Sequence, residues 1–573
     1  MKSNKNELIL LIILILGLFL RIYDLGNESI WLDEASSIAD ANSNLFKIVK
    51  NTAGDNHTPL YAVVLHFWIN LFGDSEISTR FLSVLFGFFA IFMIYKVGSL
   101  IFDKEVGILG ALLVAVSTLH INYSQEVRMY SLMALLTLLS MYFFIQFLNK
   151  RSLIISIGYI LSSILLIYSH YYGFFIIIAQ NIYILTLFLF SKKVHKLNFR
   201  IWLLLQLVLI LLFTPWVLIF IKQALRVKSG QSLGWIPVPS MHSLIESLKL
   251  YSGSNILLCL FLILSSYSLV SYKKIREGID RKVFFKSIES NKLNIPLSNA
   301  EGIYLLLVWL LTPIILPFMI SKLSTPIYWY KYTIGASLAF YLLVAVGIRN
   351  IDYKYIKLAV TSLVIIVSLA SVWRYYSVIN KERWIEAANY IDMNAGHGDL
   401  LLFNAGYCQR PFDYYSKRTD LIKKSFPQKT RDVDDENIRE LTPIVEGYDR
   451  VWVILAHSGD SKELITKTLN QPYNLSNHKK YFSIGYANDK KHPSIELYLF
   501  ERKRTDIHLY IMTSPNILLS RGNALITGAE RTIGKIIAIE TAKQGANILF
   551  PNIDEEGCKK LEQEFKMVIQ LYL

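Results

Sequence analysis

Leu8-Ile9-Leu10-Leu11-Ile12-Ile13-Leu14-Ile15-Leu16-Gly17-Leu18-Phe19-Leu20 is an unbroken apolar run, and Arg21, Ile22 and Tyr23 carry it to the length of a membrane span. Close behind it stand Trp31-Leu32-Asp33-Glu34. Ionised carboxylates are costly in hydrocarbon, so this pair belongs in water or in a polar cavity at the membrane face. Four residues alone do not separate a solvated loop from such a cavity; the rest of the chain has to.

Outward from that stretch the pattern repeats. Of 573 residues, 53% are hydrophobic and 18% charged, below the roughly 25% charged of a soluble domain. Apolar runs fall near 81–101, 106–121, 130–148, 152–169, 172–190, 201–220, 254–271, 303–320, 333–348 and 356–373, about eleven spans with the first. The formal charge of +15 does not point to nucleic acid, because the basic residues cluster between spans. With the N-terminus in the cytoplasm, Lys150-Arg151, Lys192-Lys193, Lys273-Lys274 and Arg349 fall inside, as the positive-inside rule asks. The C-terminal region is then extracytoplasmic, in a multi-pass protein of the cell membrane. Lys2 and Lys5 precede the first run without a small-residue cleavage site after it, which reads as an uncleaved anchor. The three cysteines form neither a disulfide framework nor a zinc spacing.

Three further regions are expected. Residues 24–80 form a first extracytoplasmic loop, in which Val63, Val64, Phe67, Trp68, Leu71 and Phe72 mark a helix lying in the interface or a short span. After the transmembrane module of 1–380, residues 381–503 have a soluble composition. Trp384, Ala387, Ala388 and Ile391 mark a helix, Leu400–Phe403, Val451–Leu455 and Ile495–Phe500 mark strands, and Ser461–Leu469 marks a second helix. Alternation of strands and helices predicts a small α/β domain. Residues 516–573 read as a separate piece.

The outer loops hold the chemistry. Asp33 and Glu34, Asp55-Asn56-His57-Thr58-Pro59, and the turn Tyr123–Tyr130 with Glu126 and Arg128 all emerge on that side, as does Lys331. Loops on one face of a bundle can converge on one cavity, where an acidic pair serves as base or metal ligand and Arg128 and Lys331 oppose a phosphate. The competing reading leaves Arg128 reaching to the interface from its span, Glu126 pairing with it, and Lys331 and His57 as ordinary surface groups. His170, beside Tyr171 and Tyr172, reads as structural.

"WLDEA" after the first run resembles the first-loop acidic motif of the GT-C glycosyltransferases. His57-Thr58-Pro59-Leu60-Tyr61 is similar to the His/Lys-Pro-Pro-Leu-Tyr motif of the branch holding the protein O-mannosyltransferases and the lipid A aminoarabinose transferase, with Thr58 replacing the first proline. Leu71–Gly87, Ser124–Ser131, Lys331-Tyr332 (where relatives often have Arg-Tyr) and Glu382–Ile391 also resemble that branch. The resemblance implies transfer of a sugar from a polyprenyl-phosphate donor to a protein, lipid or glycan acceptor on the non-cytoplasmic face, usually with inversion. By resemblance Asp33 is the base. Glu34 and Glu126 serve acceptor binding or a divalent metal ion, and Arg128, Lys331, His57 and Tyr332 line the donor phosphate. A transporter or lipid flippase without covalent chemistry is the rival. It would bury its polar residues at mid-membrane, whereas the charges here gather at the outer ends of spans.

Within 516–573, Ala524–Thr527 followed by Gly528-Ala529-Glu530-Arg531-Thr532-Ile533-Gly534 resembles the opening of the short-chain dehydrogenase/reductase family. Thr532 replaces the middle glycine, and the family's Tyr-x-x-x-Lys pair does not follow. The resemblance therefore implies a partial Rossmann-like fragment without a functional NAD(P) site. The fold class expected overall is a polytopic α-helical GT-C membrane protein with an extracytoplasmic α/β domain and this fragment.

Overall fold

The computed structural model describes residues 2–150, 152–190, 196–230, 234–278, 299–428, 430–484 and 492–503, and the backbone of three short strands beyond them. The bundle begins with α1 (Lys2–Ile22) and, in the first outer region, α2 (Leu32–Ala41), α3 (Leu45–Gly54) and α4 (Leu60–Phe72). It continues through α5 (Glu76–Ile101), α6 (Lys104–Ala115), α7 (Thr118–Ser124), α8 (Tyr130–Asn149), α9 (Leu153–Ser169) and α10 (Gly173–Phe190). The rest of it is α11 (Lys196–Lys228), α12 (Met241–Ser252), α13 (Asn255–Gly278), α14 (Asn299–Leu323), α15 (Ile334–Arg349) and α16 (Lys354–Tyr376).

Every run read from hydropathy lies on a helix. Among the described residues six helices are long and apolar enough to cross a membrane, or up to eight if each of two bent pairs counts as one span. The run expected at 106–121 is one such pair: α6 and α7 meet at 60°. Arg21, fully buried at the end of α1, occupies that break. Its guanidinium donates to Val114 O (3.0 Å), Ala115 O (3.2 Å), Gly17 O (2.9 Å) and Ser124 Oγ (3.1 Å). A cation thus meets the free carbonyls at the C-terminus of α6, where the helix dipole favours it. Helix α5 passes so close that a Cβ on Gly87 would fall 2.1 Å from Ser124 Oγ and 3.0 Å from Arg21 Nε. At the centre runs α15, buried on all sides from Ile334 to Ile348, as an all-round apolar helix must be.

The segment 24–80 is more ordered than a loop with one interfacial helix or short span. It holds three helices, and Asp33 and Glu34 open the first turn of α2. Outside the bundle α17 (Trp384–Asn394) packs on a five-stranded sheet of β1 (Leu400–Asn404), β2 (Ile422–Ser425), β3 (Arg450–Leu455), β4 (Tyr473–Ser483) and β5 (His492–Arg502), in the order β2-β1-β3-β5-β4. Strands β1, β2 and β3 are parallel, and β5 is antiparallel to both its neighbours. Leu401, Phe403, Trp452 and Ile454 face Trp384 on one side, while Leu400, Leu402, Val451 and Val453 face Leu441 and Ile465 on the other. That is the two-residue period of strands covered on both faces. Farther on, β6 (His508–Ile511), β7 (Asn523–Leu525) and β8 (Asn547–Asn552) pair in the order β6-β8-β7, with β7 and β8 parallel. The Gly528–Gly534 turn and the residues expected to form its helix lie outside the described residues.

Candidate active site

The first turn of α2 sends its two acids to different places. Asp33 Oδ2 lies 3.7 Å from Lys331 Nζ and 3.8 Å from Arg128 Nη2, with its side chain 31% exposed. Burial would raise its pKa, but Arg128 and then Lys331 outweigh burial and hold it below the usual carboxylate value. Arg128 Nη2 donates to His57 Nε2 at 3.3 Å, and Asp55 Oδ2 stands 3.8 Å from the same nitrogen. Burial and the Arg128 charge push the imidazole's pKa down, so His57 sits there as a neutral acceptor. The outer end of α11 fixes the segment carrying His57. Gln223 Nε2 donates to Thr52 O, Asp55 O and His57 O, and Arg226 donates to Ala53 O, Gly54 O and Asp55 O.

Lys331 stands in a one-turn helix, Tyr330–Thr333, over three rings: Trp31 (5.9 Å to the centroid), Tyr130 (5.5 Å) and Tyr332 (6.0 Å). Tyr130 and Tyr332 stack at 6.3 Å, and His170 packs 5.0 Å from Tyr332. His170 therefore belongs to the site's wall. Burial, together with His57, Arg128 and Lys331, pushes its pKa down to about 3, so it stays neutral. The aromatic cage keeps the ammonium in place by cation–π attraction while leaving its charge for a ligand.

Glu34 takes a different position from the acceptor-binding or metal role implied for it. It is fully buried and accepts from Arg80 Nε (2.9 Å) and Nη2 (2.8 Å), from Lys381 Nζ (3.1 and 3.2 Å), and from the Val127 N–H (3.0 Å). Burial would raise its pKa, yet Arg80 and Lys381 hold it at about 2. These donors take up its oxygens, and Glu34 knits the three segments together. Arg80 also donates to Leu25 O, Glu28 O and Ser29 O, and Lys381 to Gln125 O. Because Val127 is held by Glu34, Glu126 and Arg128 flank an anchored residue. Burial pushes the Glu126 carboxyl up to about 7, only partly opposed by Lys331 and Lys381.

Arg80 and Lys381 are the residues that sequence reasoning gave no role. Arg80 lies inside the quoted stretch Leu71–Gly87, and Lys381 opens the stretch of soluble composition.

Four buried polar atoms gather here without a hydrogen-bond partner: Glu126 Oε1, Arg128 Nε, Tyr130 Oη and Thr58 Oγ1. Buried polar groups are nearly always paired, so water or a polar ligand is needed here to complete the bonding. Among the described residues no three His, Cys, Asp or Glu side chains converge on one point, and Asp33 and Glu34 are each already paired with two cations.

Residues 56–219 match the family model of the dolichyl-phosphate-mannose-protein mannosyltransferases. No curated protein matches the chain in sequence. Among solved structures, the archaeal oligosaccharyltransferase AglB from Archaeoglobus fulgidus, in complex with an inhibitory peptide and a dolichol-phosphate, is similar at TM-score 0.52 and 10% identity, over 88% of this chain and 75% of that one. ArnT from Cupriavidus metallidurans, bound to undecaprenyl phosphate, is similar at TM-score 0.53 and 9% identity, over 86% and 97%. The Archaeoglobus fulgidus oligosaccharyltransferase in complex with Zn and sulfate gives TM-score 0.50 and 12% identity over 78% and 67%. At such identities the structural likeness shows the fold alone, and the segment similar to the mannosyltransferase family, residues 56–219, includes His57, Glu126 and Arg128.

Proposed function

We propose that this chain moves one sugar from a polyprenyl-phosphate donor to a hydroxyl-bearing acceptor, by a single displacement with inversion, at the extracytoplasmic mouth of the bundle. One observation carries the reading. Asp33 stands between Lys331 and Arg128, at 3.7 and 3.8 Å, beside buried polar atoms that have no partner of their own.

In this reading the donor phosphate lies against Arg128 and Lys331, with His57 and Tyr332 at its border. An arginine fork and a caged ammonium suit a phosphate diester that becomes a more highly charged leaving group. As the bond from the sugar's anomeric carbon to the phosphate oxygen breaks, negative charge grows on polyprenyl phosphate, and these two cations offset it. The acceptor oxygen attacks the opposite face of the anomeric carbon, and its proton passes to the Asp33 carboxylate. The lowered pKa makes Asp33 a weak base in the empty site. A bound phosphate draws Arg128 and Lys331 toward itself, which returns basicity to Asp33 once the donor is present. The acceptor proton also becomes acidic as the new C–O bond forms, so a modest base suffices.

The test supplies a radiolabelled undecaprenyl-phosphate sugar to the protein in nanodiscs with membrane acceptor, and compares wild type with Asp33→Asn. Covalent transfer by the wild type that the variant loses supports the reading. Label that crosses a vesicle bilayer without forming a new covalent bond supports the transporter alternative instead.

A further inference from the structure

The five-stranded sheet of the α/β domain has its own place for a ligand. From β1 the chain moves to β2 on one side, and from β2 it crosses to β3 on the other, so the strand order reverses between β1 and β3. In open parallel sheets ligands bind outside the carboxyl ends of the strands at such a reversal. The residues there are Asn404, which ends β1, Ala405 after it, and His457 and Ser458 after β3. Ser458 Oγ donates to Asn404 Oδ1, and Asn404 Nδ2 donates to Phe426 O (2.9 Å) and Arg431 O (3.0 Å), which ties the crevice floor together.

His457 stands out in three ways. Its φ is +52°, a left-handed conformation that costs a non-glycine residue roughly 1 kcal/mol or more and that concentrates at functional positions. Its Nε2 is bonded to Glu382, a nearly buried carboxylate whose other oxygen accepts from Trp384 Nε1 at 2.6 Å. A carboxylate on one ring nitrogen fixes the tautomer and aims the other nitrogen outward, and 38% of the side chain remains exposed.

The crevice also sits at the mouth of the bundle. Glu382 directly follows Lys381, whose ammonium reaches Glu34 and Gln125 O, the neighbours of Asp33 and Glu126. On the other side of Glu382, the Ile385 N–H donates to Ser29 Oγ (3.1 Å). The side chain of His457 is therefore delivered to the same mouth as Asp33, and each feels the other's charge.

We propose that His457, oriented by Glu382, is an acceptor-binding residue, its outward nitrogen hydrogen-bonded to a non-reacting hydroxyl of a polyhydroxylated, sugar-type acceptor whose reacting hydroxyl meets Asp33. The α/β domain is then the acceptor half of the site and the bundle the donor half, an inference that rests on the function proposed above. Burial disfavours the imidazolium, but Glu382, and then Asp33, outweigh burial and Arg431 and raise the His457 pKa above its usual value.

The test uses the full chain in nanodiscs, a radiolabelled undecaprenyl-phosphate sugar, and heat-treated membranes of the source cells as acceptor. His457→Ala is expected to raise the half-saturating amount of membranes at least tenfold, with the half-saturating donor concentration moving less than twofold. His457→Gln, which keeps a hydrogen-bonding group, recovers part of the loss. Glu382→Gln, which loosens the imidazole, falls between. The inference is overturned if His457→Ala leaves acceptor saturation within twofold, or if donor and acceptor saturation shift together. A wild-type protein that transfers no label overturns the function reading itself, which is a separate result.

Discussion

Arg80 and Glu34, 46 residues apart, meet in a two-point ion pair at 2.8 and 2.9 Å in which neither side chain is more than 1% exposed. Removing one partner of such a pair strands the other charge in a dry place, which costs about 3–5 kcal/mol. Glu34→Gln strands two, Arg80 and Lys381. The expected result is a large fall in the thermal unfolding midpoint of the solubilised protein. Arg80→Met combined with Glu34→Leu should cost less than the sum of the single changes. The sign with pH follows from Glu34 itself. Its native pKa of about 2 is depressed, so its stabilisation is complete above the unfolded value near 4.5 and is lost as pH falls toward 2. Glu34→Gln should flatten that acid limb in a pH series of unfolding midpoints.

Asp33→Asn behaves differently, because Asp33 touches its cations only at 3.7 and 3.8 Å and is a third exposed. The unfolding midpoint should move little, while transfer falls by about two to four orders of magnitude, the usual worth of a positioned base. Affinity for undecaprenyl phosphate should hold or tighten, since Arg128 and Lys331 lose a competing anion. Tryptophan quenching by undecaprenyl phosphate measures this, and a weakened affinity would contradict the assignment.

How far these two acids could be told apart beforehand is instructive. Periodicity placed the helices, and the ordered motifs brought Asp33, His57, Glu126, Arg128, Lys331 and Tyr332 onto one page, because each lies in a short segment whose charges do not suit lipid. The resemblance ranks Asp33 above Glu34, but no local pattern gives the reason, since adjacent residues in the first turn of a helix differ only in the direction they point. What decides between them is Arg80 and Lys381, contacts across 46 and 347 residues that no local pattern encodes. The break after α6 was hidden for a similar reason: Arg21, from another helix, satisfies its carbonyls. Strand β4 was hidden because its middle, Asn474 to Lys480, is polar and exposed at the sheet edge and lacks an apolar alternation.

Arg128 and Lys331 should not be equivalent. Arg128→Lys replaces a planar fork with a point charge and is expected to weaken undecaprenyl phosphate binding about tenfold. Lys331→Met removes the caged charge and should weaken it at least as much. Trp31→Leu, which opens one wall of the cage 5.9 Å from the ammonium, should cost less, about 0.5–1 kcal/mol of binding. Titrations at two salt concentrations check the origin of the loss, because removing a phosphate contact also flattens the salt dependence.

The α/β sheet closes without the residues that follow it. Arg502 N–H donates to Asp449 O (2.7 Å) and Lys503 N–H to Pro472 O (3.1 Å), which ends β5 against its own domain. A chain ending after Lys503 is therefore expected to keep the unfolding midpoint within a few degrees and transfer within twofold of the full chain. Loss of transfer on this truncation would assign the last 70 residues a part in the reaction.

Glu126 gives the site a titration near neutrality. Its carboxyl is only 4% exposed, Oε1 has no partner, and burial pushes its pKa up to about 7. Below pH 7 the group is mostly neutral and can donate to a phosphate oxygen; above pH 7 it becomes an anion beside the same phosphate. Undecaprenyl phosphate binding should therefore weaken as pH rises from 6 to 8. Glu126→Gln fixes the neutral, donating form and should hold the low-pH affinity across that range. Glu126→Asp keeps the carboxyl and with it the titration. A wild-type affinity that is flat between pH 6 and 8, or a glutamine variant that still titrates there, would remove Glu126 from the phosphate's surroundings.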